Sequence, residues 1–444
     1  MTDELHRLDP ELARRCLGWL VDRLTGDRPI GRTAGPAQLD AALGTPTITD
    51  GGLGSDEAWR RFADVLAPST LGLDSPRFLA FIAAAPSPTA ALMDAVVAAS
   101  SFSAESWMEA AGVVHAEQEV LAWLAGLAGF PACAGGCFVS GGSAGNLSAL
   151  AVAREHRRGR RAVVVADSAH SSVANALHLL GMRTVPVATG ADGRLTGDAV
   201  AAALVGRADV GAVVASAGST NGGIIDDLAG IATACEAHGA WMHVDGAFGG
   251  AGLLVPALAE RFRGLERADS FIVDPHKWLF APLGSCALLY REPELARAVH
   301  TQHAPYLDPF HDLEGGLNPA DHAFHLTRRA GGLPIWFALA AHGVAAHRHA
   351  VERGIELARW TAERIREIGV PLELVVEPEL SIVLFRRWGW ERADWTAWSR
   401  QLLDRGVALV TPTVWRGETV GRMAFLHPAT GEDLVEEILS SLVS

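Results

Sequence analysis

The sequence predicts an α/β protein with a mainly parallel sheet in a large domain and a smaller α+β domain at its C-terminal end. One observation is a series of short apolar runs through the middle of the chain: Phe138-Val139, Val163–Val165, Val185–Val187, Val213-Val214, Met242–Val244, Phe271–Val273 and Ala287–Leu289. The other is that helical stretches opened by Ser, Asp or Thr and closed by Gly lie between several of them, as in Asp226–Gly239. Strands that alternate with helices are joined by crossovers, which makes neighbouring strands parallel and covers both faces of the sheet.

In chain order, residues 1–75 read as a helix, a polar Gly/Pro-rich passage from Gly26 to Gly54, and a second helix near Asp56–Leu66. That segment carries too little apolar surface to fold alone, so it is expected to pack on a partner subunit. Residues 76–340 form the large domain, helical to about Gly129 with a stripe of Glu117, Leu121, Leu124 and Leu127, and then built from the strand runs. Residues 341–444 form the small domain: a long helix over Gly343–Ile368, a strand near Ser381–Phe385, a helix near Ala393–Asp404 and a strand near Val420–Phe425.

Composition excludes several classes of function. The 444 residues hold 37 basic and 51 acidic side chains, a net charge of −14, which disfavours a nucleic-acid partner, and no motif of that kind is present. The five cysteines are Cys16, Cys133, Cys137, Cys235 and Cys286; they are few, odd in number and scattered, which suits a reducing cytoplasm. Cys133 and Cys137 lie four apart without a second pair at ligand spacing, so no metal site is expected. The first fifteen residues alternate charge with leucine and lack a signal-peptide core. The most apolar stretch, Phe78–Phe102, is broken by Pro86 and Pro88 and carries Asp94, so it is no membrane span.

The chemistry-bearing residues follow strands. Lys277, in Asp274-Pro275-His276-Lys277-Trp278, comes just past the Phe271–Val273 run, at the rim where open α/β sheets bind ligands. A lone lysine there is ordinarily a solvated loop residue. Apolar flanks are expected to desolvate this one and lower its pKa, freeing an amine that can form an imine. Asp245, in His243-Val244-Asp245-Gly246-Ala247, lies 32 residues earlier at another strand end, where an acid alone would simply cap a helix. Ser140-Gly141-Gly142-Ser143-Ala144-Gly145-Asn146 joins a strand to a helix start, where close backbone and free N–H groups suit an anion, although it lacks the Gly-Lys-Ser/Thr ending of a Walker loop. His170, after Val163–Val165, is either a core histidine or a ring lying flat on a planar ligand, and Ser219-Thr220-Asn221 ends at the same edge.

This ordered set resembles the group II pyridoxal-dependent amino-acid decarboxylases, which include the aromatic-amino-acid, glutamate and histidine decarboxylases. The resemblance runs from about Pro76 to the C-terminus, with Asp274–Trp278 among its most specific parts. It implies the aspartate-aminotransferase-like fold (fold type I), pyridoxal 5'-phosphate as cofactor, and a homodimer with active sites at the subunit interface. By that likeness Lys277 is the Schiff-base lysine, Asp245 the partner of the pyridine nitrogen and His170 the ring-stacking residue. Ser143, Ala144 and His276 reach the phosphate, with Ser219 or Thr220 near the ring. The protonated ring is the electron sink for decarboxylation.

The expected reaction is decarboxylation of a free L-amino acid to an amine. The family likeness places Phe78, Phe81, Phe102 and Trp107 around the pocket entrance, giving a modest preference for an aromatic or apolar side chain; such clusters are also common in plain cores. Arg422 is either a carboxylate ligand or part of a structural ion pair. The family's proton donor to Cα is a tyrosine on a loop from the other subunit, expected here within Asp308–Thr327, and His322 stands in its place. The chain's two tyrosines, Tyr290 and Tyr306, do not fit that role. Imidazole is a competent acid near neutral pH, so His322 is the expected donor. The alternative is decarboxylation-coupled oxidative deamination to an aldehyde. A catalytically silent cofactor-binding partner is a further reading, disfavoured by the presence of both Lys277 and Asp245.

Overall fold

A computed structural model describes residues 4–44, 46–83, 85–311 and 317–443. Its large sheet comprises β1 (Gly135–Val139), β2 (Ala162–Ala166), β3 (Arg183–Val187), β4 (Val210–Ser216), β5 (Trp241–Asp245), β6 (Ser270–Val273) and β7 (Cys286–Tyr290). They lie in the order β1-β7-β6-β5-β4-β2-β3. Pairings from β6 through β5, β4 and β2 to β3 are parallel, and β7 alone runs against its neighbours β1 and β6. Each apolar run of the sequence falls within one of these strands. The inner strands β2, β4, β5, β6 and β7 are buried along their whole length, as sheets covered on both faces require, while the edge strand β3 alternates in exposure.

Parallel strands put equivalent ends on one side. The chain leaves β1, β2, β4, β5 and β6 at one edge, so the Gly-rich turn, His170, Ser219-Thr220, Asp245 and the Lys277 turn are gathered there by topology alone.

The small sheet contains β8 (Leu372–Val376), β9 (Ile382–Arg387), β10 (Thr413–Trp415) and β11 (Glu418–Ala424), in the antiparallel order β10-β11-β9-β8. Its core unites Phe385, Trp395, Trp398, Phe425, Ile438 and Leu439. The long helix spans Leu333–Ile368 and starts ahead of the expected Gly343, because Gly343 is a break inside it at φ 76°. In the polar stretch after Gly26 the structure has an unexpected short helix, Pro36–Leu43, with proline in its first turn. No helix among the described residues is long and apolar enough to cross a membrane.

The chain enters the large sheet past the small one. Leu79 donates its N–H to Leu409 O at 3.0 Å, and Ala424 donates to Leu79 O at 2.9 Å. Arg422, on β11 and 4% exposed, fastens this junction by donating to Phe81 O at 2.9 Å, Thr220 O at 2.7 Å and Asn221 O at 3.2 Å. Its guanidinium is therefore held by backbone carbonyls. Arg422→Ala strips three backbone carbonyls of their donor and is expected to cost about 3 kcal/mol, measured as a lower denaturation midpoint in urea with an unchanged m-value.

Candidate active site

A cavity of about 540 Å³ opens at the gathered strand ends. It is lined by Ser140, Gly141, Gly142 and Ser143 after β1, by His170 and Ser172 after β2, by Ser219 and Thr220 after β4, and by Asp245 after β5. Asp274, His276 and Lys277 follow β6, and Leu283 and Gly284 lead into β7.

Lys277 Nζ lies 2.9 Å from Asp274 Oδ2, and Asp274 is 2% exposed. Burial pushes the lysine pKa down, but Asp274 and then Asp245 outweigh it, so the pKa is raised above its ordinary value. This corrects the expectation of a neutral, desolvated amine: at neutral pH the free amine holds its proton, with Asp274 as the base in contact. Sequence reasoning quoted Asp274 only as a flank of Lys277. Its signal was present, an acid three residues before the lysine across a single helical turn, Pro275–Trp278.

Asp245 is 9% exposed and accepts from Asn146 Nδ2 at 3.0 Å and from the Ala247 N–H at 3.1 Å. His170 caps the helix Ser171–Leu179, and its Nδ1 is 2.8 Å from Ser172 Oγ. His276 Nδ1 is 2.6 Å from Ser285 O, with Nε2 3.6 Å from Asp274 Oδ2. Ser219 Oγ accepts from the Ile224 N–H at 3.2 Å, which holds its turn closed beneath the cavity.

These residues fit pyridoxal phosphate. The helix Gly142–His156 has no side chain capping its first turn, and Gly141, Gly142 and Ser143 line the cavity, as a phosphate at a helix start requires. A Cβ on Gly142 would come within 3.1 Å of Asp274 Oδ2 and 3.3 Å of Ala247 Cβ, so glycine permits the close approach. Asp274 Oδ1 is buried without a hydrogen-bond partner.

The structure does not gather every expected residue. Ala144 stands outside the lining, and its N–H is taken by Gly141 O at 2.9 Å, so it offers no donor to a phosphate. Of the four aromatic candidates, Phe81 lines the mouth and is 63% exposed, and Ile82 and Leu283 join it. Phe78 instead packs in a separate core with Ile30 and Leu409. Phe102 and Trp107 lie near the Asn318–Arg329 segment: Phe102 O accepts from the Ala330 N–H at 3.3 Å, and the Trp107 N–H donates to Asn318 Oδ1 at 3.1 Å.

His322 is also elsewhere. Part of the loop expected to carry it, residues 312–316, lies outside the described residues. His322 itself is 1% exposed, and its carbonyl accepts from Tyr290 Oη at 3.2 Å. Burial, reinforced by Arg328 and Arg297, lowers its pKa to about 3. His322 is thus a neutral ring sealed within its own chain, and the structure does not bring the expected proton donor to this cavity.

A lysine and two carboxylates at the strand ends of a mainly parallel sheet, beside an uncapped helix start, define a pyridoxal-phosphate-dependent enzyme. Comparison with known proteins makes this specific. Residues 56–387 match the pyridoxal-dependent decarboxylase conserved domain, and the chain belongs to that family. It is 30% identical over 389 residues to aromatic-L-amino-acid decarboxylase of Bacillus atrophaeus, covering 83% of this chain and 81% of the relative. It is 34% identical over 369 residues to L-2,4-diaminobutyrate decarboxylase of Rhizobium meliloti, covering 79% and 73%. Among solved structures, Oryza sativa TDC with PLP and tryptamine superposes with a TM-score of 0.88 at 23% identity, covering 100% of this chain and 98% of that one. Mouse CSAD superposes at 0.89 and 24% identity, covering 98% of both. The protein is an amino-acid decarboxylase of fold type I that uses pyridoxal phosphate.

Asp274→Asn removes the nearer of the two charges that raise the Lys277 pKa. The pH midpoint for uptake of pyridoxal phosphate by the apoprotein is expected to move down, as followed by visible absorption. His322→Gln, by contrast, is expected to leave the ratio of amine to aldehyde product unchanged. Because the folded pKa of His322 lies below the ordinary 6.5, the folded state loses stability as pH falls from 6.5 toward 3. The Gln variant is therefore expected to show a smaller drop in thermal midpoint than the parent across that window.

Proposed function

We propose that the enzyme is a homodimer that decarboxylates a free L-amino acid with an aromatic or apolar side chain, releasing carbon dioxide and an amine. The observation that carries the substrate class is the cavity mouth, where Phe81, Ile82 and Leu283 present apolar surface above the polar floor of Asp245, Asp274 and Lys277. A substrate then has its reacting end among charges and its side chain against hydrocarbon. The relatives named above act on aromatic amino acids and on diaminobutyrate, so the mouth rather than the floor is where this chain makes its choice.

Pyridoxal phosphate, once bound, supplies the carbonyl that captures the substrate amine and the protonated ring that receives the electron pair of the breaking bond to the carboxylate. The rest is done by the chain. Lys277 is the amine that holds the cofactor and yields to the substrate, and Asp274 is the base in contact with its proton. Asp245 would serve the ring nitrogen and keep it protonated, and His170 would lie against the ring face. The uncapped turn at Gly141–Ser143 and His276 would hold the phosphate, with Ser219 and Thr220 beside the ring. The apolar mouth excludes water around the departing carboxylate.

The dimer is supported by the N-terminal segment. The helix Pro10–Thr25 buries none of its residues in this chain, and Leu5, Leu8, Leu17 and Val21 stand exposed along and before it. An apolar face of that kind needs cover, and a second copy is the occupant proposed.

The test is a panel of free L-amino acids offered to purified enzyme loaded with pyridoxal phosphate, with carbon dioxide, amine, aldehyde and peroxide measured together and mass determined by light scattering. Amine from aromatic or large apolar substrates, at twice the chain mass, is the expected result. Turnover confined to diaminobutyrate or acidic substrates would sink the substrate class. Lys277→Ala is expected to remove activity and the visible absorption band, and Asp245→Asn to lower kcat by about a hundredfold or more.

A further inference from the structure

One side chain joins two of the cofactor-facing groups without being assigned a role of its own. Asn146, in the helix Gly142–His156, is 1% exposed. Its Nδ2 lies 3.0 Å from Asp245 Oδ2 and 3.0 Å from Ser172 Oγ, and its Oδ1 lies 2.8 Å from His243 Nε2.

The directions of these bonds follow from chemistry. A carboxylate only accepts, so the amide nitrogen must face Asp245, and its second hydrogen goes to Ser172 Oγ. The amide oxygen is then an acceptor, so His243 carries a hydrogen on Nε2. His243 Nδ1 is 2.8 Å from Ser270 Oγ, which itself accepts from Trp241 Nε1 at 2.9 Å and donates its one hydrogen to the imidazole. On the other side, the Ser172 N–H donates to His170 Nδ1 at 3.2 Å, so that nitrogen is an acceptor, and the Ser172 hydroxyl, which takes a hydrogen from Asn146, gives its own to it at 2.8 Å. His170 is therefore left with its hydrogen on Nε2. Burial lowers the His243 pKa to about 4, which keeps that ring a neutral donor to Asn146.

We propose that Asn146 is a positioning residue whose single carboxamide orients the Asp245 carboxylate and, through Ser172, fixes His170 as the Nε2–H tautomer. The group facing the ring nitrogen and the group on the ring face are thereby set together, before any ligand arrives. His243, Ser270 and Trp241 form the buried chain that prevents the carboxamide from flipping. The proposal rests on the assignment of Asp245 and His170 to the cofactor ring given above.

The experiment compares Asn146→Ala, Asn146→Asp, His243→Leu and His243→Gln with the parent. Three quantities are read: the dissociation constant for pyridoxal phosphate, the thermal midpoint, and the His170 tautomer by NMR of the ¹⁵N-histidine apoprotein, assigned by the signal lost in His170→Gln. Expected are a tenfold or greater weakening of cofactor binding in Asn146→Ala and loss of the pure Nε2–H signal of His170. Asn146→Asp sets two carboxylates face to face, so its binding is expected to weaken further as pH rises. His243→Gln retains an N–H donor and is expected to restore both readouts, whereas His243→Leu is not. A folded Asn146→Ala protein with parental affinity and an unchanged His170 signal overturns the proposal. Should Asn146→Ala fail to fold, equal behaviour of His243→Leu and His243→Gln overturns it instead. The tautomer is read without cofactor, so it tests Asn146 independently. Unaltered affinity and turnover in Asp245→Asn would sink the underlying assignment of Asp245 alone.

Discussion

Two carboxylates at the ends of neighbouring strands must be kept out of water without being left unmatched. Asp245 ends β5 and Asp274 follows β6, and both are buried. An unpaired buried charge is costly enough that a protein ordinarily neutralises it or supplies a partner. The two acids are served differently. Asp274 has a cation in contact, Lys277, whereas Asp245 is met by neutral donors, the Asn146 amide and the Ala247 N–H. Hydrogen bonds orient Asp245 but leave it without a cation in contact, which is the opening that a protonated heterocycle would fill under the proposed reading.

The parallel sheet makes that arrangement possible. Crossovers return each strand in the same direction, so residues far apart in sequence emerge side by side. Asp245 and Lys277 are 32 positions apart and line one cavity. This is why so much of the site was legible beforehand. Each apolar run long enough to be a buried strand marked its own end, and the residue after that end was automatically a candidate. Lys277, Asp245, His170 and the Ser219-Thr220 turn were singled out by that reasoning, Ser143 and His276 by the family likeness, and all line the cavity. The fold was legible for the same reason: valine-rich runs such as Val163–Val165 have no amphipathic alternative.

What escaped the sequence depends on contacts rather than on position along a strand. Asn146 sits in a helix, and nothing in its neighbours indicates that its amide reaches across to β5. The Lys277 pKa was expected to fall because apolar flanks were visible, whereas the acid that reverses the shift was seen only as a neighbour. Phe78 and Trp107 were placed at the entrance by likeness, and Phe78 proved to be core. Aromatic residues serve both purposes, and only packing separates them. His322 failed similarly. A histidine in a loop suggests exposure, but this one lies under Arg328 and Arg297 and is fixed through its carbonyl by Tyr290.

The cavity floor belongs to the large sheet, but its mouth depends on the small one. Phe81 adopts φ 52°, a left-handed conformation that a non-glycine residue holds only when its surroundings impose it. The surroundings here include Arg422, which reaches from β11 to Phe81 O and to the carbonyls of Thr220 and Asn221. Burial lowers the pKa of that guanidinium to about 10, and no acid among the described residues offsets the loss of water around it. Carbonyl dipoles from two separate segments do so instead, which means the arginine is comfortable only when both segments are in place. Phe81 and the Thr220 turn, which both line the cavity, are therefore tied to one cation. Phe81 and the Thr220 turn are thus tied to the small sheet, whereas Lys277, Asp245 and Asp274 stand on the strand ends of the large one.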